Sequence, residues 1–106
     1  MKTISQLLGK TPTLAIYGNS DTVILGLQID SRHITTDQLY AAMSGTTVDG
    51  HQFIENCIEK GAVGILCSTL PKQLNPEVCY ILVENVANTL GEMCLNFHDR
   101  KAENLC

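Results

Sequence analysis

The sequence lacks the two features on which nucleic-acid binding most often depends, a basic surface and a set of stacking aromatic side chains. It contains no tryptophan, two phenylalanines and three tyrosines, and its formal net charge is −4. The seven lysines and arginines are scattered along the chain and form no cluster. Because grouped cations hold phosphates and aromatic faces stack on unpaired bases, we expect no nucleic-acid partner.

A long apolar run is also missing. Nothing in the chain approaches the ~18 consecutive apolar residues that a membrane-spanning helix requires. The first residues, MKTISQLLGK, contain no extended apolar core and do not resemble a secretory signal peptide. We therefore predict a cytoplasmic protein without a membrane partner.

No two cysteines have the spacing of a zinc knuckle or a redox pair. The cysteines are Cys57, Cys67, Cys79, Cys94 and Cys106. The first four have apolar neighbours, which predicts small buried thiols in a reducing compartment.

Two further patterns that could carry chemistry are incomplete. Gly-Lys-Thr at 9–11 resembles the end of a phosphate-binding loop, but Ile4 stands where that motif needs a glycine, so we expect Gly9 to end a helix. The three histidines are His33, His51 and His98, and they lack cysteine or carboxylate partners at ligand spacing. We predict no metal site, no catalytic residue, and a packing or hydrogen-bonding role for His51.

The composition that remains is that of one globular domain. Hydrophobic residues make up 44% of the 106 residues and charged residues 17%. A chain of this length can bury one core without metals or disulfides. Since there is no repeat and no linker-like segment, we treat residues 1–106 as a single domain.

The apolar pattern predicts alternating helices and strands. A first helix begins at a capping box formed by Thr3 and Gln6, buries one apolar face and ends at Gly9. Strands are predicted over 13–17, 23–29, 39–43, 62–67 and 79–85, and further helices over 49–60 and after a cap at Asn85.

These elements predict an α/β fold, a single small three-layer domain with a mixed, mostly parallel sheet and flanking helices. The continuous apolar run 62–67 is typical of a parallel strand buried on both faces, with the helix 49–60 as a crossover. In the strand 23–29, the alternating residues Val23, Leu25, Leu27 and Ile29 are expected to form a well-buried face.

Polar residues follow two of the predicted strands directly. Asp30, Ser31 and Arg32 come after 23–29, and a segment with Thr46 and Thr47 comes after 39–43. In α/β sheets, ligands bind in crevices outside the carboxyl ends of strands. The same residues also suit a scaffold in which Asp30 and Arg32 form a loop-fixing ion pair. The pattern alone leaves ligand binding and scaffold equally open.

Over 30–67 the sequence resembles the N-terminal domain of the Mur ligases, which build the peptide stem of bacterial cell-wall precursors. The family pattern runs Asp-Ser-Arg, Leu-Phe-Val-Ala, a glycine-led loop, Asp-Gly-His, Phe-Ile and Lys-Gly-Ala. The matching residues are Asp30, Ser31, Arg32, Leu39, Ala42, Gly45, Asp49, Gly50, His51, Phe53, Ile54, Lys60, Gly61 and Ala62. The resemblance extends to 81–99, which is similar to the family's valine–glutamate strand and final helix.

The resemblance implies a domain that holds the UDP-N-acetylmuramoyl end of a substrate for an ATP-dependent amide ligase of peptidoglycan synthesis. The likeness is greatest to the member that adds the third stem amino acid to UDP-N-acetylmuramoyl-L-alanyl-D-glutamate. The alternatives are the following ligase, which adds D-alanyl-D-alanine, and a non-catalytic protein-interaction module with the same fold. ATP and Mg²⁺ are expected in the remaining domains of the parent ligase, which the resemblance places outside this chain.

The resemblance places the family's uridine-diphosphate contacts on five residues. Arg32 is a further candidate, although it could instead form an ion pair with Asp30. The five are Ile29, Ser31, Thr46, Thr47 and Val48. The clearest departure from the family pattern is a turn usually built from Gly-Asp, which is Asp37-Gln38 in this chain. A non-glycine residue with positive φ costs ~1 kcal/mol, but aspartate tolerates that conformation better than most residues, so we expect the fold to survive.

Overall fold

The computed structural model of the protein describes residues 2–43 and 50–97. Over these ranges the strands are β1 (Lys2–Thr3), β2 (Ala15–Tyr17), β3 (Val23–Ile24), β4 (Gly26–Gln28), β5 (Gln38–Ala41), β6 (Gly64–Cys67) and β7 (Cys79–Leu82). The α-helices are α1 (Ile4–Leu8), α2 (Ile54–Glu59) and α3 (Val86–Phe97), and short 3₁₀ helices occupy Ser31–His33 and Gly50–Phe53. No helix in these ranges is long and apolar enough to cross a membrane.

Five strands form one mixed sheet in the order β2–β7–β6–β5–β4. The neighbours from β4 to β7 are parallel, while β2 runs antiparallel to β7 at one edge. β1 and β3 form a separate two-stranded antiparallel ribbon. The predicted mixed, mostly parallel sheet is confirmed.

Alternating side chains divide the interior into two cores, one on each face of the sheet. Around β5, Leu39 and Ala41 enter the first core, whereas Tyr40 and Ala42 enter the second. Helices α1 and α3 pack over the first core and α2 over the second. The domain therefore has three layers, as predicted, and β6 is buried along its whole length.

The ends of α1 and α3 follow from local sequence. The Thr3 hydroxyl accepts a hydrogen bond from the Gln6 amide at 3.1 Å, and the Thr3 amide donates to the Gln6 side chain at 2.9 Å. Gly9 ends α1 with φ 54°. The Asn85 side chain accepts from the Asn88 amide at 3.0 Å and so caps α3. These three predictions are confirmed.

The predicted strand over 23–29 is wrong as one continuous element. The chain changes partners at Leu25, since Val23–Ile24 pairs with β1 and Gly26–Gln28 pairs with β5. Val23, Leu25 and Ile29 are 46%, 48% and 57% exposed, whereas Ile24 is fully buried. A two-residue alternation predicts burial only while a strand stays in one sheet, and this segment does not.

The predicted helix over 49–60 is α-helical only from Ile54. Its described part is a 3₁₀ helix over Gly50–Phe53 followed by α2, a common way for a helix to start. The predicted cap, Asp49, lies outside the described residues. The crossover itself is confirmed, because α2 joins the parallel strands β5 and β6.

Four cysteines are free and buried, as the sequence predicted. They are Cys57, Cys67, Cys79 and Cys94. Burial raises the pKa of the thiols of Cys57, Cys67 and Cys79 to about 11, so each stays protonated near neutral pH.

The turn before β5 is hydrogen-bonded to the turn after α2, and each turn contains a residue with positive φ. Asp37 has φ 64°, which confirms that this turn requires a positive φ. Its amide donates to the carbonyl of Gly61 at 2.9 Å. Gly61 has φ 115°, and a Cβ atom there would lie 2.8 Å from Thr36 Cα. Glycine at this position is therefore required by both strain and space.

We expect Gly61→Ala to lower the free energy of unfolding by about 1–3 kcal/mol, because alanine would add both backbone strain and a clash. Gly91→Ala is the matched control, since a Cβ at this helical glycine meets nothing within 4 Å. Alanine there should stabilise the protein by about 0.5–1 kcal/mol. Urea denaturation of both variants measures the two changes, and equal effects would contradict this account of Gly61.

Candidate functional site

The carboxyl ends of the parallel strands β4 to β7 lie along one side of the sheet, which we call the carboxyl edge. Ile29, Asp30 and Ser31 follow β4, and Ser68 follows β6. Of the predicted ligand contacts, Ile29, Ser31 and Arg32 belong to this edge. Thr46, Thr47 and Val48 lie outside the described residues, so their predicted role stays a prediction.

Asp30 organises the turn that follows β4. One carboxylate oxygen accepts from the Arg32 amide at 2.9 Å and from Arg32 Nε at 3.1 Å, and the other accepts from Arg32 Nη2 at 2.9 Å. The backbone bond caps the 3₁₀ helix Ser31–His33. Such a forked ion pair fixes geometry as well as charge.

Hydrogen bonds from Arg32 lower the pKa of Asp30 from 3.8 to about 2, the side-chain bonds contributing most and the backbone bond next. The same contact raises the pKa of Arg32. The loop-fixing ion pair considered from the sequence is therefore present. A role for Arg32 toward a ligand stays a prediction, although its side chain is 83% exposed.

Two further side chains fix the backbone around Ser31. The Gln28 side-chain oxygen accepts from the amides of Ile29 and Asp30, both at 3.1 Å. Lys60, at the end of α2, donates from Nζ to the Ser31 carbonyl at 3.0 Å. In the described part of the chain the Ser31 hydroxyl has no hydrogen-bond partner, so it is able to donate to or accept from a ligand.

Ile29 borders a groove of about 560 Å³ between the end of β4 and α3. Apolar side chains line much of this groove, among them Leu27, Leu90 and Leu95. The volume is in the range of small-molecule pockets, roughly 300–1,000 Å³. An exposed isoleucine beside an apolar groove is suited to the flat face of a small ring.

His51 joins two neighbouring parts of the carboxyl edge. Its Nε2 accepts from the amides of Ser68 at 3.0 Å and Thr69 at 3.3 Å, and the Ser68 hydroxyl lies 3.3 Å from the same nitrogen. The prediction that His51 forms hydrogen bonds is confirmed. No three potential metal-ligating side chains lie close together among residues 2–43 and 50–97.

Sequence reasoning did not identify Gln28 or Lys60 as part of this site. Gln28 is one residue before Ile29, but nothing in its type or spacing marks it as an organiser of the turn. Lys60 is 29 residues from Ser31. Its one signal in the sequence is its place in the Lys-Gly-Ala motif, which does not indicate a contact with Ser31.

The fold is that of a small α/β domain with a polar edge at the carboxyl ends of its parallel strands, the place where ligands bind in open α/β sheets. A family model described as "Mur ligase family, catalytic domain" matches residues 23–98, well over half of the chain. The chain belongs to the Mur ligase family.

Curated relatives carry the name UDP-N-acetylmuramoyl-L-alanyl-D-glutamate–2,6-diaminopimelate ligase. The relative from Bacteroides fragilis is 36% identical over 102 residues, which is 96% of this chain and 21% of that protein. The relative from Synechococcus elongatus is 34% identical over 110 residues, or 96% of this chain and 22% of that protein. The chain thus spans about a fifth of the length of these relatives.

Solved structures of MurF proteins share the fold. A crystal structure of MurF from Acinetobacter baumannii has a TM-score of 0.74 at 20% identity and covers 96% of this chain and 22% of that one. MurF from Thermotoga maritima in complex with ADP has a TM-score of 0.57 at 24% identity and covers 64% of this chain and 15% of that one. At these identities the likeness supports the fold alone.

The first prediction from this geometry concerns the ionisation of Asp30. Its folded pKa of about 2 lies below the ordinary 3.8, so its ion pair stabilises the fold above pH ~4 and loses that effect as the pH falls toward 2. In Arg32→Gln the pKa should rise yet stay below 3.8, because the backbone hydrogen bond remains. Carbon-13 NMR of the Asp30 carboxyl during an acid titration measures both values. An unchanged pKa in the variant would contradict the ion pair.

The second prediction concerns His51. Replacing it with alanine removes the acceptor for two backbone amides and should lower the free energy of unfolding by about 1–2 kcal/mol. His33→Ala is the control, since its side chain is exposed and lies 3.7 Å from Asp30 in its nearest ion-pair contact. That change should stay within about 0.5 kcal/mol. Thermal unfolding compares the two variants, and equal losses would show that the His51 contacts add no stability.

Proposed function

We propose that this chain is the substrate-binding domain of an ATP-dependent ligase that adds the third amino acid of the peptidoglycan stem. The observation that carries the proposal is the 36% identity over 96% of the chain to a ligase named for UDP-N-acetylmuramoyl-L-alanyl-D-glutamate and 2,6-diaminopimelate. The MurF structures, at 20–24% identity, support the alternative ligase less strongly. The relatives' names favour 2,6-diaminopimelate as the amino acid added.

In this proposal the domain holds the uridine-diphosphate end of the substrate at the carboxyl edge of the sheet. Ser31 offers a hydroxyl that has no partner among the described residues, and Thr46 and Thr47 offer hydroxyls or amides, each worth ~1 kcal/mol net. Ile29 and Val48 offer apolar contact to the uracil ring, and the groove beside Ile29 supplies room for it. Arg32 is a further candidate, although Asp30 already neutralises its charge.

The chemistry that we propose for the parent ligase is amide formation. The substrate carboxylate takes the terminal phosphoryl group of ATP to give an acyl phosphate and ADP. The amine of the incoming amino acid then attacks the acyl carbon, forming the amide and releasing inorganic phosphate and a proton. ATP and Mg²⁺ are assigned in this proposal to other domains of the parent, and no residue of this chain is given a catalytic role. We place the parent ligase in the cytoplasm, a location that the free, buried cysteines fit.

Because the domain holds only one end of the substrate, we expect it to bind UDP weakly, with a Kd on the order of millimolar. Titrating the labelled chain with UDP and recording amide shifts by NMR tests the site. The amides of Ser31 and of Thr46, Thr47 and Val48 should move most. Movement only at other residues would remove the site assignment.

Ser31→Ala should weaken UDP binding about fivefold, the equivalent of one lost hydrogen bond of ~1 kcal/mol. Ser5→Ala is the matched control, since Ser5 is exposed on α1, a helix that contributes no residue to the proposed site. An equal effect of both substitutions would argue against a contact between Ser31 and the ligand.

A further inference from the structure

The peptide unit between Ser31 and Arg32 is held at both of its polar ends. Its N–H group, from Arg32, donates to the Asp30 carboxylate at 2.9 Å. Its carbonyl, from Ser31, accepts from the Lys60 ammonium at 3.0 Å. Both hydrogen bonds involve a charged group and are therefore stronger than neutral ones. The plane of this peptide is fixed from within the turn by Asp30 and from another element by Lys60.

The two cations beside Ser31 have different electrostatic surroundings. Arg32 is paired with Asp30 through a forked contact. Lys60 forms no ion pair within the described residues, and its hydrogen bond goes to the Ser31 carbonyl. Within the described residues, Lys60 therefore contacts no carboxylate and instead holds the peptide next to the Ser31 hydroxyl.

We propose that Lys60 is a positioning residue for the nucleotide-diphosphate site, an inference that rests on the proposed function. By fixing the Ser31 carbonyl, it sets the orientation of the Ser31–Arg32 peptide and hence the direction in which the Ser31 hydroxyl meets the ligand. A binding group gains affinity when its supporting contacts hold it in place before the ligand arrives. Lys60 acts through Ser31 and does not itself contact the ligand.

A positioning role predicts that substitution of Lys60 lowers the affinity for UDP without lowering the stability of the fold. Lys60 is exposed, and substitutions of exposed side chains usually change stability little. Lys60→Met should therefore fold normally and lose only the restraint on Ser31. Lys72→Met is the matched control, since Lys72 is exposed and lies in the loop between β6 and β7.

The test measures the Kd for UDP by NMR titration of the full chain as wild type, Lys60→Met, Ser31→Ala and the double variant. Lys60→Met should weaken binding about threefold to fivefold, and it should have no further effect in the Ser31→Ala background, because contacts that act as a unit are not additive. Lys60→Arg, which keeps a charged donor, should retain most of the affinity. Lys72→Met should bind as the wild type does.

A second readout needs no ligand. The carbonyl carbon of Ser31 should change its chemical shift in Lys60→Met and keep it in Lys72→Met, because the hydrogen bond to that carbonyl is lost only in the former. An unchanged shift would overturn the proposal by showing that the contact does not persist in solution.

The other possible results separate a failure of the Lys60 role from a failure of the proposed function. Equal weakening by Lys60→Met in both backgrounds would mean that Lys60 acts on the diphosphate directly, and the positioning role would be wrong. UDP binding by the wild type with no loss in Lys60→Met would overturn the inference and leave the proposed function standing. A wild type that shows no UDP-dependent shifts would refute the proposed function and the inference together.

Discussion

Parallel pairing of β4, β5, β6 and β7 is the constraint on which the rest of the domain depends. Parallel neighbours cannot be joined by a hairpin, so each connection must cross a face of the sheet. All three connections contribute to the second core, through Ile34 after β4, Ile54 and Cys57 of α2, and Val78 before β7. Crossovers of one hand that step across a sheet in one direction share a face. The opposite face is thereby left to α1 and α3, and the strands must be apolar on both sides.

The same pairing places the carboxyl ends of these four strands at one edge, where the sheet's own hydrogen bonds end. Side chains take over the role of the backbone there. Gln28 and Asp30 accept from amides of the turn after β4, and His51 accepts from the amides after β6. The buried sheet thus ends in a polar edge whose backbone groups are already hydrogen-bonded by side chains. The Ser31 hydroxyl is not needed for these bonds and has no hydrogen-bond partner within the described residues.

Elements whose limits depend on nearby residues could be predicted from the sequence, and those that depend on distant partners could not. The capping of α1, the cap of α3 and the buried run around β6 all follow from residues a few positions apart. The prediction of one strand over 23–29 was wrong because β3 and β4 belong to different sheets. No residue within the segment indicates which strand each half pairs with. In the candidate site, the positions of Ile29 and Ser31 at a strand end could be predicted from the sequence. The contact between Lys60 and Ser31 could not, because a long lysine side chain can reach several neighbours and the packing of α2 determines which one it contacts.

Asp37 is a departure from the family pattern that lies away from the turn carrying Ser31. It occupies the position where the family pattern has glycine, and it keeps the positive φ that the turn needs. Its carbonyl accepts from Leu25 at 2.8 Å and its amide donates to Gly61 at 2.9 Å, so the turn lies at the amino end of β5. Ser31 follows the carboxyl end of β4, at the opposite edge of the sheet. The strain of aspartate in this conformation therefore costs ~1 kcal/mol of stability at one edge, while the geometry that presents Ser31 is set at the other by Asp30, Gln28 and Lys60.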